Sequence, residues 1–540
     1  MSPPRVALPS SYQQDRRSGL ILPSSLTSQL RIEAAAEFRA AAANRLRSNW
    51  NLGRSHSTPA SWTLQRLREY SRDLNRNDPI AAGATDTLAI NIVGRGLQPQ
   101  SRLRPDALGI SPERARELQH QAELIWATWT PLADSGNRLS FDELQFLALR
   151  KIVEDGEVLA LPVWADESWR PLRRAVELLE SERLTTLGAE TITGKETGID
   201  VGLRGEPAVY NFTKVDPAKG TAQFGHGTER LAARDAQGRP RVLHLFRTAR
   251  PGQMRGLPLF TPVITLFQDL ADYLEAEVVA AKVAAFLAIF ITQGESYGAE
   301  TAATDRETKT GRYIEDLEPG EIRYLKTGEA VNVVDPKRGG ETFNSFMQQG
   351  MRIIGIPLGL PYELLVKDFS QTNYSSARAA LLEGRRTFSN WRTWFAPKFC
   401  QPFWDLVLEE AVLRGQWEVR RRDFYANKTE YLRAVWMGGG WGWVDPVKEV
   451  GAAIAAILAG LSTHAKELAA QGEDFEETFE QLARERGFAA DLGLSFAAPQ
   501  TASPAAPAER EEQAGAGKKN MVLALKLLAQ LDRLEREPVP

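Results

Sequence analysis

Apolar residues follow two rhythms along the 540-residue chain, and the switches between them mark its segments. Residues 1–23 are polar and Pro-rich, an expected mobile start. Leu26, Leu30, Ala34, Phe38 and Leu46 then mark one face of a helix that Ser24 or Ser25 can cap. Residues 62–130 read mainly helical, and the run 88–93 ends in Gly94-Arg95-Gly96, which predicts an element closing in a turn. From 152 to 246 the period shortens. Residues 152–153, 158–164, 208–212 and 242–246 read as strands between Gly-, Pro- and Asp-rich turns, with 172–187 interrupting them as a helix.

A long helical stretch follows at 257–292, with Pro258 and Pro262 at its start, where proline is tolerated. Strand-like pieces at 321–325 and 330–334 lie in a Gly-, Thr- and charge-rich segment, 293–335, that reads as a small exposed β subdomain. A helix at 340–354 and a Gly/Pro-punctuated loop at 355–373 come next. A second long helix begins near Tyr374. Its stripe of Leu381, Phe388, Trp391, Phe395, Phe399, Phe403 and Leu406 has helical spacing, and Pro397 and Pro402 inside it predict a kink or break. Residues 445–490 are helical again, opened by Asp445 and Pro446 and ending in an acidic, aromatic-dotted segment. Residues 497–519 form an Ala/Pro/Glu/Gly linker to a short amphipathic helix, 520–536. The whole reads as α+β.

Composition changes this picture little: 43% hydrophobic and 25% charged residues are globular averages, which exclude wholesale disorder or a collagen-like chain. One cysteine, Cys400, rules out an intrachain disulfide or a cysteine-ligated zinc site and fits a reducing compartment. The N-terminus lacks the apolar core of a signal peptide. The longest apolar run, 278–291, is too short and, with Lys282, too interrupted to span a bilayer, so no membrane partner is expected.

Charge is more informative. The net value of −3 is not the footprint of a tight nucleic-acid binder, and it does not exclude a protein that must let DNA pass without gripping it, since each phosphate neutralised by Lys or Arg adds binding energy. Residues 1–70 hold ten Arg, no Lys and four acids, a basic arm suited to an acidic protein surface or to nucleic acid. Residues 294–332 hold nine acids and five bases.

Catalytic chemistry is not legible. The five histidines have no ligand-like spacing, and Cys400 lies on the aromatic stripe as a packed thiol. The run from Gly188 to Glu196 has five residues between its glycines instead of four. It also places Glu196 where a Mg²⁺-binding hydroxyl belongs, so it fails as a phosphate loop. No G-x-S-x-G elbow occurs. No enzyme activity, cofactor or metal is expected, which favours a structural or assembly role.

Four strings occur in order. They are Ser71-Arg-Asp-Leu-Asn-Arg-Asn-Asp-Pro79 with Asn91-Ile-Val-Gly-Arg-Gly96; Val242-Leu-His-Leu-Phe246 running through Arg250-Pro-Gly-Gln-Met-Arg-Gly-Leu-Pro258 to Glu275-Ala-Glu-Val-Val-Ala-Ala-Lys-Val-Ala-Ala285; the run from Pro361 through Asn373-Tyr-Ser-Ser376 to Glu383; and Trp443-Val-Asp-Pro-Val-Lys-Glu449. Together they resemble the lambda-type family of tailed-phage portal proteins over about 60–490.

The resemblance implies a portal-protein fold with an α+β wing, a helical stem, a small α/β clip and a helical crown. On that order the basic arm is 1–55, the wing 56–256 returning at 374–440, and the stem 257–292 and 338–356. The clip is 293–337, the channel-facing tunnel loop 357–373, the crown 441–496, and 497–540 the linker and terminal helix. The resemblance further implies a homo-oligomeric ring of twelve copies at the capsid vertex of the virion, with assembly in the host cytoplasm. The ring would be a channel for double-stranded DNA during packaging and ejection. The implied partners are a terminase large subunit, a head–tail adaptor and the major capsid protein. Another head–tail joining protein is the alternative, and a packaging enzyme a weaker one.

Lys367, the only base in 357–373, is expected to offer DNA a weak, salt-screened phosphate contact that Asp368 limits. Gln371 and Asn373 are further channel candidates. Asn373 or Ser375 is expected to cap the long helix. In the acidic clip, Glu315, Asp316, Glu318 and Glu321 are candidates for contact with a basic partner surface.

Overall fold

The computed structural model describes residues 61–184, 198–213, 228–285 and 340–494, with the backbone of four short strands at Tyr12–Gln14, Ile21–Pro23, Ile289–Gln293 and Glu329–Val333. The expectations for the arm helix, for 188–196, for 294–328 with Glu315, Asp316, Glu318 and Glu321, and for 497–540 lie outside the described residues. The chain divides into two compact units, Met1–Glu473 and Asp474–Pro540, a boundary inside the expected crown.

The first unit opens with helices α1 (Ser61–Asn77) and α2 (Pro79–Ile92). Asp78 separates them by accepting the amides of Ile80 and Ala81 at 2.8 and 2.9 Å, with Pro79 at the first helical position. Gly94 and Gly96 follow with positive φ, the expected turn. Strand β1 (Gln98–Ser101), α3 (Pro112–Trp129) and α4 (Phe141–Asp155) complete the helical layer. A capping box starts α4: Ser140 and Glu143 each accept the other's backbone amide. This helix absorbs Ile152 and Val153, expected as strand. They continue the buried stripe of Phe141, Leu144, Ala148 and Leu149, so 3.6-residue periodicity prevails there.

Strands β2 (Glu157–Trp164) and β3 (Arg174–Leu179) pair antiparallel with Leu159 opposite Leu179 and Trp164 opposite Arg174. The expected helix at 172–187 is thus wrong. The segment has helix-forming residues, but Ala175, Val176 and Leu179 are buried once the strand pairs with β2, and tertiary pairing overrides propensity. A second sheet is built from β4 (Ile199–Val201), β5 (Pro207–Thr213) and β6 (Thr228–Ala232). Strand β7 (Leu243–Phe246) returns to β2 and completes the order β3–β2–β7.

Helix α5 spans Ile264–Ala285, shorter than the expected 257–292: Pro258 and Pro262 sit in turns before it, and Ile289–Gln293 is extended, pairing with Glu329–Val333. Helix α6 (Gly340–Leu358) packs on α5. Gly350 makes this approach close, since a Cβ there would sit 2.8 Å from Leu270, and Tyr273 meets Phe343 and Phe346 at ring distances of 5.5 and 4.9 Å. The expected loop at 355–373 is partly helical: α6 runs through Pro357 to its end, and α7 (Tyr362–Val366) forms one further turn.

Helix α8 (Tyr374–Phe395) passes through one π turn (Ala396–Cys400) into α9 (Gln401–Arg414). The π turn accommodates Pro397, and the rod continues, the form the predicted interruption takes. Phe388, Trp391, Phe395, Phe399, Phe403 and Leu406 are all buried. They meet Trp126, Trp129 and Phe141, with Phe399 stacked on Phe141 at 5.4 Å and Trp126 edge-on to it at 4.9 Å. Strand β8 (Ala434–Met437) pairs with β1, and α10 (Pro446–Leu458) and α11 (His464–Ala470) end the unit. In the second unit, Asp474 caps α12 (Phe475–Asp491) by accepting the amides of Glu476 and Glu477.

Candidate channel loop and its frame

Three glycines seat the 355–373 segment. Gly359 takes φ +66°, reversing the chain after α6, and a Cβ there would lie 2.7 Å from Thr387. A Cβ on Gly355 would strike the Leu360 carbonyl at 2.3 Å, and one on Gly384 of α8 would strike Leu364 at 2.4 Å. Leu360 and Leu365 are buried against this frame, so the segment is anchored at its apolar positions while its polar tip faces outward.

Lys367 ends α7 in the left-handed region, φ 60° and ψ 31°, a conformation that L side chains rarely adopt. It is exposed and makes no ion pair among the described residues. Asp368 does not reach Lys367. Its carboxylate accepts the Ser370 amide at 2.9 Å, and the Ser370 side chain, together with that amide, holds its pKa below the usual carboxylate value. Gln371 is exposed. Asn373 is the N-cap of α8: its Oδ1 accepts the Ser376 amide at 2.9 Å. Ser375 takes a different part from the expected one. Its hydroxyl donates to Asn373 Oδ1 at 2.8 Å, orienting the cap instead of capping. The start of α8 is tied to α10 by Lys448 over the Tyr374 ring at 5.6 Å and by Arg378 with Glu449 at 3.6 Å. The tip therefore offers one exposed cation, amide and hydroxyl groups, and a carboxylate already engaged by the backbone. That suits weak contact and not tight anion binding.

Two polar centres that the sequence reading missed hold this frame. Glu157, fully buried, receives Arg68 at 2.7 Å, Arg255 at 2.6 Å, the Gly256 amide at 2.6 Å and His244 at 3.1 Å. The guanidiniums of Arg255 and Arg68 hold its pKa well below the carboxylate range despite burial. Burial lowers the pKa of His244, so the neutral ring donates through Nε2. Ser71 bonds the Glu154 carbonyl at 2.6 Å and Arg72 grips Asp155 at 2.7 and 2.9 Å. Two of the motif strings, around Ser71 and Arg255, thus converge on the α4–β2 turn. Gly156 in that turn, φ +85°, has the Leu257 carbonyl carbon 2.2 Å from where a Cβ would stand.

The second centre is Arg392 on α8. It donates to the carbonyls of Ile92 and Asn91 at 2.7 and 2.9 Å and of Gly439 at 2.8 Å, and stacks on Trp441 at 4.3 Å. Burial lowers its pKa to about 10. It places positive charge on the carbonyl end of α2, where the helix dipole favours it.

Among the described residues, no group of three or more His, Cys, Asp or Glu could hold a metal ion, and no helix is long and apolar enough to cross a membrane. Cys400 is buried, and its thiol pKa is pushed well up by that burial.

A family model described as phage portal protein, lambda family, matches residues 43–392. The portal protein of Escherichia phage N15 is 26% identical over 487 residues, covering 83% of this chain and 91% of that protein. Portal protein B of Escherichia phage lambda is 26% identical over 445 residues, covering 76% and 82%. A chain in the virion of a native gene transfer agent particle aligns at TM-score 0.39 and 13% identity, covering 79% of this chain and 98% of that one.

Proposed function

Because the chain belongs to the lambda family of phage portal proteins, we propose that its copies close into a ring of twelve at one capsid vertex and conduct double-stranded DNA through the bore. One observation carries the oligomeric part. The packed rods α5 and α6 leave Tyr273, Leu274, Val278, Val279, Phe346, Ile353 and Ile356 exposed in the single chain, an apolar surface that a lone subunit has no use for. Burying such surface between copies is the main gain available to an obligate ring.

In this reading α5 and α6 are the stem, and the tip around Lys367 faces the bore. Copies at −3 each make an acidic wall that repels phosphates and prevents trapping, while Lys367 supplies weak, salt-screened contact. The acidic segment 294–332 is the platform for a terminase and then a head–tail adaptor, both with basic or polar docking surfaces. The major capsid protein surrounds the ring, and no catalysis is assigned to it.

Mass photometry with negative-stain imaging tests the assembly. The expected particle is near twelve times 59.9 kDa with a central hole, and a sample that stays monomeric overturns the reading. Neutralising the acids of 294–332 should weaken terminase docking, and unchanged docking would remove charge complementarity as its basis.

A further inference from the structure

At the far end of the β2–β3 pair, Trp164 and Arg174 face each other across the last register position, and the Arg174 guanidinium lies 5.3 Å from the Trp164 ring centroid. Beside them opens a cavity of about 250 Å³, with Leu406 and Leu413 of α9 among its walls. Trp164 is 51% exposed at its mouth, and Arg414 also approaches the ring, at 5.7 Å.

The two carboxylates of this cavity are already engaged. Glu410 accepts the amides of Arg173 and Arg174 at 2.8 and 2.9 Å and binds Arg414 at 2.6 Å. Glu409 accepts Tyr425 Oη and Lys428 Nζ, both at 3.0 Å, and has Arg239 at 3.8 Å. Arg239 is also held by Asp235 at 2.7 Å. Arg174 differs from its neighbours: it makes no ion pair among the described residues, and its buried Nε has no hydrogen-bond partner. A buried guanidinium donor left unpaired is costly, so the cavity is short of one acceptor.

We propose that this cavity docks one carboxylate carried on an apolar stem, the side chain of a Glu or Asp on a partner polypeptide. The Arg174 guanidinium, which makes no ion pair among the described residues although Glu410 and Glu409 lie near enough to act on its charge, supplies one positive charge in a planar fork that fits a carboxylate. The Trp164 face, Leu406 and Leu413 fit the methylenes of the stem. A phosphate, dianionic and strongly hydrated, would meet too few free donors. The site goes beyond the ring reading and does not depend on it.

The test is saturation-transfer NMR on the full chain with N-acetyl-glutamate N-methylamide as probe. Transfer to its side-chain methylenes is expected, and none to the glutamine analogue. Arg174→Gln should weaken the response about ten- to hundredfold, the loss of one charge-assisted hydrogen-bonding partner. Arg386→Gln, an exposed guanidinium on α8 held by Glu383, should respond as the parent does. If Arg174→Gln fails to fold by circular dichroism, Trp164→Ala at the cavity mouth serves in its place and should also weaken the response. Equal response from the parent and the Arg174 or Trp164 variant, equal response to the glutamine analogue, displacement by inorganic phosphate, or silence from the parent would each overturn the assignment.

Discussion

Arg255 Nη2 lies 2.6 Å from Glu157 Oε1, with both side chains sealed almost completely from solvent, so the α4–β2 turn is locked to the chain that leads into α5. Arg68 binds the same carboxylate from α1. One acid therefore neutralises two buried guanidiniums. Glu157→Gln removes the carboxylate that both share and should cost about 3–5 kcal/mol, the loss typical of a broken buried pair. Urea unfolding of parent and variant reads it directly. An unchanged midpoint would show that the cluster is solvated.

The same cluster fixes the sign of a pH effect. The folded pKa of Glu157 is depressed, so its contribution is present above the ordinary carboxylate range and is lost as pH falls through the folded value. The folded pKa of His244 is also lowered, chiefly because burial disfavours its charged form, with the charges of Arg255 and Arg68 adding to that push. Its neutral form is favoured, so its contribution is present above pH 6.5, the ordinary histidine value, and falls as the solution is acidified below it. Acidification from pH 7 to pH 5 should therefore lose the His244 contribution, opposite in sign to that of Asp405 on α9, and the destabilising slope it adds should be absent in His244→Asn. A steeper slope in the variant would contradict the neutral assignment.

Lys367 combines a charge with an unfavourable backbone, and two substitutions separate them. Lys367→Gly relieves the left-handed strain and should stabilise the loop by about 1 kcal/mol. Lys367→Glu keeps the strain and reverses the charge. If the tip touches DNA, both should form rings as the parent does, while Lys367→Glu lowers packaging efficiency most strongly at low salt. Normal packaging by Lys367→Glu at every salt concentration would end the role assigned to this lysine.

Much of the frame was legible because long stripes and caps are strong local signals. The aromatic stripe from Phe388 to Leu406 and the Asp445-Pro446 start of α10 are of that kind. The strand at Arg174–Leu179 was not, since what selects it is β2, distant in pattern and visible only once the sheet forms. The helical turn Tyr362–Val366 was hidden by the glycines and prolines around it, which read as loop but here serve close packing on α8. The Glu157 cluster draws on α1, β2, β7 and the 250–256 turn. A set gathered from four places carries no spacing. The arginines inside the motif strings were the available hint, and their roles are internal to the fold.

Asn373 fastens the tip to α8 through Oδ1, which accepts the Ser376 amide at 2.9 Å and the Ser376 hydroxyl at 3.1 Å. Asn373→Ala removes the cap and should cost about 1 kcal/mol, enough to loosen the tip without unfolding the unit. Faster hydrogen exchange at the amides of residues 375–377 is the expected readout. Ser375→Ala should have a smaller effect, since its hydroxyl only steadies Asn373. Equal effects from the two would mean that the pair acts as one unit.

Asp405 on α9 presents the opposite case to Glu157, because burial pushes its pKa up to about 6 and the nearby charge of Glu409 adds to that push. Gln401 donates to it at 2.8 Å and Lys428 favours its ionised form, yet neither offsets the desolvation. A folded pKa raised above the unfolded value means stability that is fully present below about pH 3.8 and lost as pH rises through about 6. At pH 7 the buried carboxylate is therefore a liability. Asp405→Asn keeps an oxygen to accept from Gln401 and removes the charge, so it should stabilise the fold at pH 7 by about 1–3 kcal/mol and change little at pH 4. Thermal unfolding at the two pH values measures the difference. A variant that is less stable than the parent at pH 7 would show that Lys428 pairs with Asp405 more tightly than the geometry indicates, and would reverse the sign assigned to this residue.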